Sequence, residues 1–245
     1  MHYYSITNKG VLDNNQDAIT IMRAAYQADD HTETSSASDV NSLFAVFDGV
    51  GGTAQGKQAS YLAAKIFSRT FSPISEDEII EVIDIANCAI NWKYNRKEVL
   101  AATTVAGVAF SADKTFVFNV GDSKVFTINN GYFEEKSTSD DIASTINRLE
   151  DSYQYDSISK SPLMQYLGNP DGISQVHIVQ LARPKQLFIC TDGVTDLLDI
   201  DALEEILSGA GENCGVFSEM VKQQLLGKGA RDNFSLIILD LSEVC

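Results

Sequence analysis

Apolar residues in this chain follow two rhythms. One is nearly continuous: SLFAVF at 42–47, VAGVAF at 105–110, TFVFNV at 115–120, LFIC at 187–190 and FSLIIL at 234–239. Such runs suit strands covered on both faces better than strands with a wet side. The other rhythm is helical. Ala59, Leu62, Ala63, Ile66 and Phe67 share one face of a segment at 53–71, and Ile79, Val82, Ile83, Ala86 and Ile90 share one face of the next. There Ser75 and Glu78 fit a capping box. Shorter strands are predicted at 3–8 and 18–26, on either side of a polar turn at 10–17. The stretch QADDHTETSSASD has no apolar period and reads as a mobile hairpin tip or insertion, with His31 in solvent.

Farther along, 102–110, 115–120 and 124–128 read as consecutive strands in hairpin order, turning at 111–114 and 121–123. Residues 134–172 mix a helix near 139–150 with Pro and Gly breaks, as a flap does. Strands at 174–180 and 186–191, helices at 200–208 and 214–226, and a closing strand at 234–241 complete the chain. Strand runs broken by helix pairs do not alternate βαβ, which disfavours a doubly wound parallel sheet. Two-faced strands need a layer on each side. The expectation is an α+β fold: an α/β/β/α four-layer sandwich, two stacked antiparallel sheets flanked by helix pairs. No Pro- or Gly-rich linker divides the 245 residues, so one domain over 1–245 is expected.

Charge narrows the partners. The chain carries 18 Lys+Arg against 34 Asp+Glu, a net charge of −16. That field argues against nucleic acid or an anionic membrane as a partner. The first residues, MHYYSITNKG, lack the charged-then-apolar pattern of a signal peptide, and no apolar run is long enough to span a bilayer. A cytoplasmic protein is the expectation. The four cysteines form no CxxC pair and the three histidines no metal-binding spacing, so any metal should be a hard cation held by oxygen. Cys190 reads as a buried apolar filler, and Trp92 as core.

Four strand-like runs meet an aspartate beside a small turn residue: Asp48-Gly49, Gly121-Asp122, Asp192-Gly193 and Asp232-Asn233. One Asp-Gly after a strand is most simply a turn. Four in matching context are different, because carboxylates crowded at strand ends repel one another and resist desolvation unless cations lie among them. The pattern predicts a metal centre of oxygen ligands.

Taken in order, NNQDA (14–18), FDGVGG (47–52), ATT (102–104), GDSK (121–124), LG (167–168), CTDGVTD (190–196) and RDNFS (231–235) resemble the motifs of the metal-dependent PPM-type (type 2C) Ser/Thr protein phosphatases, in their bacterial form. That family has the four-layer sandwich inferred above. The resemblance implies that Asp48 bridges two Mn²⁺ or Mg²⁺ ions, that Asp192 and Asp232 complete the coordination of the first ion, and that the Gly49 carbonyl binds the second. Asp122 with Asp192 would hold a third, and Asp17 would accept hydrogen bonds from bound water. The implied activity is hydrolysis of phosphoserine and phosphothreonine by a metal-activated water, on substrates of a Ser/Thr kinase in a signalling pathway. Thr103 and Thr104 read as strand residues with ordinary hydrogen bonds.

The resemblance has departures. Val50 stands where eukaryotic members carry a histidine. Asp13 lies near the place of the phosphate-gripping Arg, which leaves Lys9, Lys124 or Arg231 as stand-ins. Gln16 replaces a Glu, and Lys124 an Arg that forms a bidentate fork. Two alternatives therefore stand beside the enzyme of kinase substrates: a non-catalytic pseudophosphatase that binds phosphorylated partners, and a phosphatase of phosphorylated anti-sigma-antagonist proteins.

Overall fold

The computed structural model describes residues 1–37, 41–50, 55–70, 75–94, 100–111, 114–149, 161–211 and 213–242. Its strands are β1 (His2–Asn8), β2 (Ala18–Ile21), β3 (Ala24–Tyr26), β4 (Asp30–Ser36), β5 (Ser42–Phe47), β6 (Val105–Phe110), β7 (Thr115–Val120), β8 (Lys124–Asn129), β9 (Tyr132–Glu135), β10 (His177–Leu181), β11 (Gln186–Cys190) and β12 (Phe234–Asp240). The helices are α1 (Gly56–Thr70), α2 (Glu76–Lys93), α3 (Ile142–Leu149), α4 (Asp192–Thr195), α5 (Ile200–Gly209) and α6 (Cys214–Gly227).

The strands form two six-stranded sheets, ordered β4-β1-β12-β11-β8-β9 and β10-β7-β6-β5-β2-β3, with every pairing antiparallel. Alternation explains the continuous apolar runs. On β5, Leu43, Ala45 and Phe47 face the core under α1 and α2, while Phe44 and Val46 face the seam between the sheets. On β12, Leu236 and Ile238 meet the α5–α6 side, and Ile237 and Leu239 meet the seam. Both of these strands therefore bury both faces, and the order of layers is helix, sheet, sheet, helix. The expected sandwich is what the chain forms.

The helices follow their sequence signals. Ser75 caps α2 by accepting from the Glu78 amide at 3.3 Å, and Ile79, Val82, Ile83, Ala86 and Ile90 are all buried. Trp92, on the same helix, corrects the expectation of a core residue: it is 66% exposed. Its position falls off the stripe that α2 turns toward the sheet.

Two further expectations change. The polar stretch after residue 26 contains a true edge strand, β4, paired along its whole length with β1. Its Ser, Thr and charged residues conceal a strand because only alternate positions are half covered, and charge is what an edge tolerates. His31 is not simply solvated, since its ring stacks on Tyr26 at 4.7 Å. Residues 38–40 of that stretch lie outside the described ones.

The turn at 121–123 does not close a hairpin. It carries the chain from β7 in one sheet to β8 in the other. Gly121 has φ +102, a conformation side-chain-bearing residues rarely adopt. Asp140 grips this corner: its Oδ2 accepts from the Gly121 amide at 2.9 Å, and its own amide donates to the Gly121 carbonyl at 3.1 Å. The segment 134–172, expected to act as a flap, holds the end of β9 and all of α3, while its residues 150–160 lie outside the described ones.

The α5–α6 layer is held by aromatic packing around Phe188, which is fully buried and meets Phe126, Phe133 and Phe217 at ring-centroid distances of 5.6–6.2 Å. Removing this side chain leaves a cavity that several rings cannot all collapse into. Phe188→Ala should lower unfolding free energy by about 3–5 kcal/mol in urea titration, whereas a loss under 1 kcal/mol would show that the layer repacks freely.

Candidate metal centre

Strand register alone gathers the aspartates. Ala18 pairs with Phe47, so Asp17 and Asp48 leave neighbouring strands side by side. In the other sheet, Lys124 pairs with Cys190 and Cys190 with Leu236, which brings Asp122, Asp192 and Asp232 to one edge. Every site residue expected from the sequence therefore lies at the same end of the sandwich.

Asp48 is held through its backbone. Its amide donates to Thr104 Oγ1 at 3.1 Å, and its carbonyl accepts from the Thr104 amide at 2.9 Å and from Thr103 Oγ1 at 2.7 Å. Thr104 Oγ1 also contacts Ser123 Oγ at 2.7 Å, which ties the turn bearing Asp122 to the loop bearing Asp48. Thr103 forms bridges to Gly49 on one side and to flap residue Leu167 on the other. These two threonines do more than ordinary strand residues, because they clamp the main chain from which Asp48 projects. At Gly49, a Cβ would fall 2.5 Å from the Gln16 carbonyl oxygen and 2.6 Å from Gly56, so the start of α1 can press against this loop only because no side chain is there.

The loop at 9–17 is fastened by Asn233. Its Oδ1 accepts from the Gln16 amide at 2.8 Å, and its Nδ2 donates to the carbonyls of Lys9 and Asn14 at 2.9 and 3.2 Å. Asp17 is 1% exposed. Its Oδ2 accepts from Thr191 and Ser235 hydroxyls at 2.9 and 2.8 Å, while its Oδ1 has no partner. Asp192 Oδ1 is likewise buried and unpartnered.

Electrostatics at this edge are adverse. Burial first, then the charges of Asp192, Asp17 and Asp122, hold the Asp48 carboxyl well above the usual carboxylate range. Burial, reinforced by Asp192 and Asp232, raises Asp17 to about 8 despite its two hydroxyl donors. Burial and Asp192 raise Asp122 to about 7, with smaller contributions from Asp141 and Asp196. Neither Asp141 nor Asp196 is prominent in the sequence, yet a signal exists for Asp196: it follows Asp192 by four residues, one helical turn on, at the C-terminal end of the short α4.

Among the described residues, no three Asp, Glu, His or Cys side chains are already arranged to hold a metal ion. The fit to a cation rests instead on the donor chemistry: carboxylates drawn to one edge, and two of their oxygens buried without partners. Of the candidate phosphate anchors, Lys124 pairs with Glu135 at 3.6 Å and Lys9 with Asp29 at 4.0 Å, leaving Arg231 exposed next to Asp232. Cys190 is fully buried and its thiol is pushed far up by burial, as an inert filler should be.

Residues 21–225 match the model of the protein phosphatase 2C family. The chain belongs to that family. The phosphoprotein phosphatase expected from the motifs is thus the enzyme class to which the family assigns it. It is similar to the serine/threonine phosphatase stp of Listeria innocua, 22% identical over 82% of this chain and 85% of that protein. It also resembles serine/threonine protein phosphatase PstP of Mycobacterium tuberculosis, 21% identical over 81% of this chain and 40% of that longer one. Among solved structures, Stp1 from Staphylococcus aureus superposes with a TM-score of 0.81 at 18% identity, covering 98% of this chain and 94% of that one. The phosphatase MsPP from Mycobacterium smegmatis, in complex with cacodylate, gives 0.78 at 22%, covering 98% and 97%. No described helix is long and apolar enough to cross a membrane.

A carboxyl whose pKa is higher folded than unfolded keeps its proton in the native state while the unfolded chain ionises. For Asp17 and Asp122 the two states agree below about pH 4. Stability then declines as pH rises toward about 7 for Asp122 and about 8 for Asp17. In chelator-treated protein, the melting temperature should fall between pH 5 and pH 8, and Asp17→Asn should flatten that fall. A melting temperature that climbs over this interval would contradict the account.

Proposed function

We propose that this chain hydrolyses phosphoserine and phosphothreonine in protein substrates, with Mn²⁺ or Mg²⁺ held at the aspartate edge. The observation that carries the reading is the convergence of Asp17, Asp48, Asp122, Asp192 and Asp232 at one edge through strand register, with one oxygen of Asp17 and one of Asp192 buried without a partner. A protein has little reason to collect such charges at the mouths of five chain segments unless cations neutralise them.

Asp48, Asp192 and Asp232, with the Gly49 carbonyl, are the proposed ligands of two ions, and Asp122 with Asp192 of a third. When bound, the ions supply Lewis acidity, bringing water within reach of ionisation near neutral pH and offsetting phosphoester charge. The protein's own residues supply position. Thr103 and Thr104 fix the Asp48 backbone, and Asn233 fixes the loop carrying Gln16 and Asp17. Asp17, with one oxygen spent on Thr191 and Ser235, leaves the other to accept a hydrogen bond from nearby water. Arg231 faces the substrate phosphate. As oxygen from water bonds to phosphorus, the bond to the serine or threonine oxygen breaks, and that oxygen leaves with a proton taken from solvent, since Val50 offers none. No covalent phosphoenzyme is invoked, because Cys190 is out of reach and un-ionised. The domain is proposed to function as a single unit over 1–245, its substrates being products of a protein Ser/Thr kinase inside the cell.

With an aryl phosphate and millimolar Mn²⁺, turnover should be robust and should vanish with excess chelator. Asp48→Asn should reduce kcat by about 10³-fold or more, in line with loss of a core electrostatic element. Metal-independent turnover, or an Asp48→Asn enzyme of near-normal rate, sinks the proposal; tight phosphopeptide binding without any turnover would favour a binding module instead. Arg231→Ala should chiefly raise KM, by about tenfold for one lost charge-assisted contact.

A further inference from the structure

The acidity of this protein is not evenly spread. Along the outer face where α1 meets the end of α2, a hollow of about 220 Å³ is lined by Lys57, Lys65 and Lys93 together with Tyr61, Tyr94 and Gln27, and by no carboxylate. Three of only 18 cations in a chain with 34 acidic residues share this one groove. Among the described residues none of the three makes an ion pair. Lys65 instead lies 4.3 Å from the centroid of the Tyr61 ring, and Lys93 5.0 Å from that of Tyr94. A cation held over an aromatic face keeps its charge available to an incoming anion, whereas a salt bridge would spend it.

The groove begins beside the aspartate edge. Lys57 follows Gly56, the residue pressed against Gly49 and Gln16. The Lys57 carbonyl accepts from Gln27 Nε2 at 2.9 Å, Ser60 Oγ accepts from the same Gln27 Nε2 at 3.0 Å, and Ser60 Oγ donates to the Gln16 carbonyl. From there Lys57, Tyr61 and Lys65 form a stripe at i, i+4 and i+8, which rises about 12 Å along the helix. An extended peptide covers that distance in about four residues.

We infer that this groove docks the acidic flank of the phosphoprotein substrate, three or four residues to one side of the phosphorylated Ser or Thr. The inference rests on the phosphatase reading above and adds a substrate preference to it. The protein's net field repels acidic peptides, so a local patch of cations contiguous with the site is where such a substrate can approach. Its lysines and tyrosines offer donors and positive charge matched to Glu and Asp side chains, and Leu62 is its aliphatic member. Exposed ion pairs are individually weak, but three in a row at ordinary strength amount to about a tenfold preference.

The test compares two phosphoserine peptides of equal length, one with four Glu beside the phosphoserine and one with Gln there. In wild type with Mn²⁺, kcat/KM for the Glu peptide should exceed that for the Gln peptide about tenfold, through KM, and the excess should shrink in 0.5 M salt. In the double variant Lys65→Gln/Lys93→Gln the ratio should drop toward one, and in Lys65→Glu/Lys93→Glu below one. Each ratio is internal to one preparation, so loss of active protein does not imitate the result. Fluorescence anisotropy of the dephosphorylated Glu peptide provides a second readout, with weaker binding expected in both variants. A wild-type ratio of one, or a ratio and affinity unchanged in the variants, overturns the inference. Failure of the wild type to turn over even an aryl phosphate would overturn the phosphatase reading instead, and the anisotropy arm would still decide whether the groove binds acidic peptide.

Discussion

Like charges held close together under partial burial are the constraint around which the rest of this molecule is arranged. Five aspartates, from five separated stretches of chain, end at one edge of a rigid sandwich. Left to themselves they would separate or protonate, and burial with acidic neighbours accordingly pushes the Asp48 carboxyl well above the usual carboxylate range. What prevents the first is the backbone. Threonine hydroxyls and amides clamp the Asp48 loop, an asparagine side chain stitches the 9–16 loop to the start of β12, and two hydroxyls hold Asp17. None of these groups is ionisable near neutral pH. They fix geometry without adding charge, which leaves the charge balance to be completed by something from outside the chain.

That rigidity has its source in the layers. Strands that bury both faces cannot slide by one residue without moving every side chain between cores, so their register is strongly specified. Register in turn sets which carboxylate sits beside which: Ala18 opposite Phe47 places Asp17 by Asp48, and Lys124 opposite Cys190 brings Asp122 toward Asp192. The sheet-crossing corner at Gly121, held by Asp140, joins the two sheets at this edge. Asp140 also meets His177 of β10 at 2.7 Å, so the corner, the flap and the last strand of the second sheet share one buried polar node. The adverse electrostatics of the edge are thereby opposed by the whole apolar interior.

An edge so negative would be a poor place for a phosphate ester to arrive unaided. The exposed Arg231 beside Asp232 and the lysine groove along α1 are places where the local sign reverses. They sit on different layers, one at a turn entering β12 and the other on a helix packed over the opposite sheet. A peptide crossing the edge would meet positive charge on the α1 side as well as at the turn.

Much of this was legible in the sequence because the signals are local or periodic. Continuous apolar runs marked the two-faced strands, helical stripes marked α1 and α2, and Asp beside Gly or Asn marked the strand ends. The same patterns carried the family. What they missed has a common cause, namely that the deciding contact lies far away in sequence. β4 looks polar because its covering comes from pairing with β1, and Trp92 looks like core because hydrophobicity does not report which side of α2 it faces. The 121–123 turn looks like a hairpin because a crossing between sheets needs only a positive φ and a distant Asp140. Thr103, Thr104 and Asn233 acquire their clamping roles only when strands separated by tens to hundreds of residues come together. The groove of Lys57, Lys65 and Lys93 is likewise invisible along the chain, since its members are spread over two helices and gather only when those helices pack. Residue types and their rhythm determined the layers and the chemistry available; long-range pairing decided which of those groups face one another.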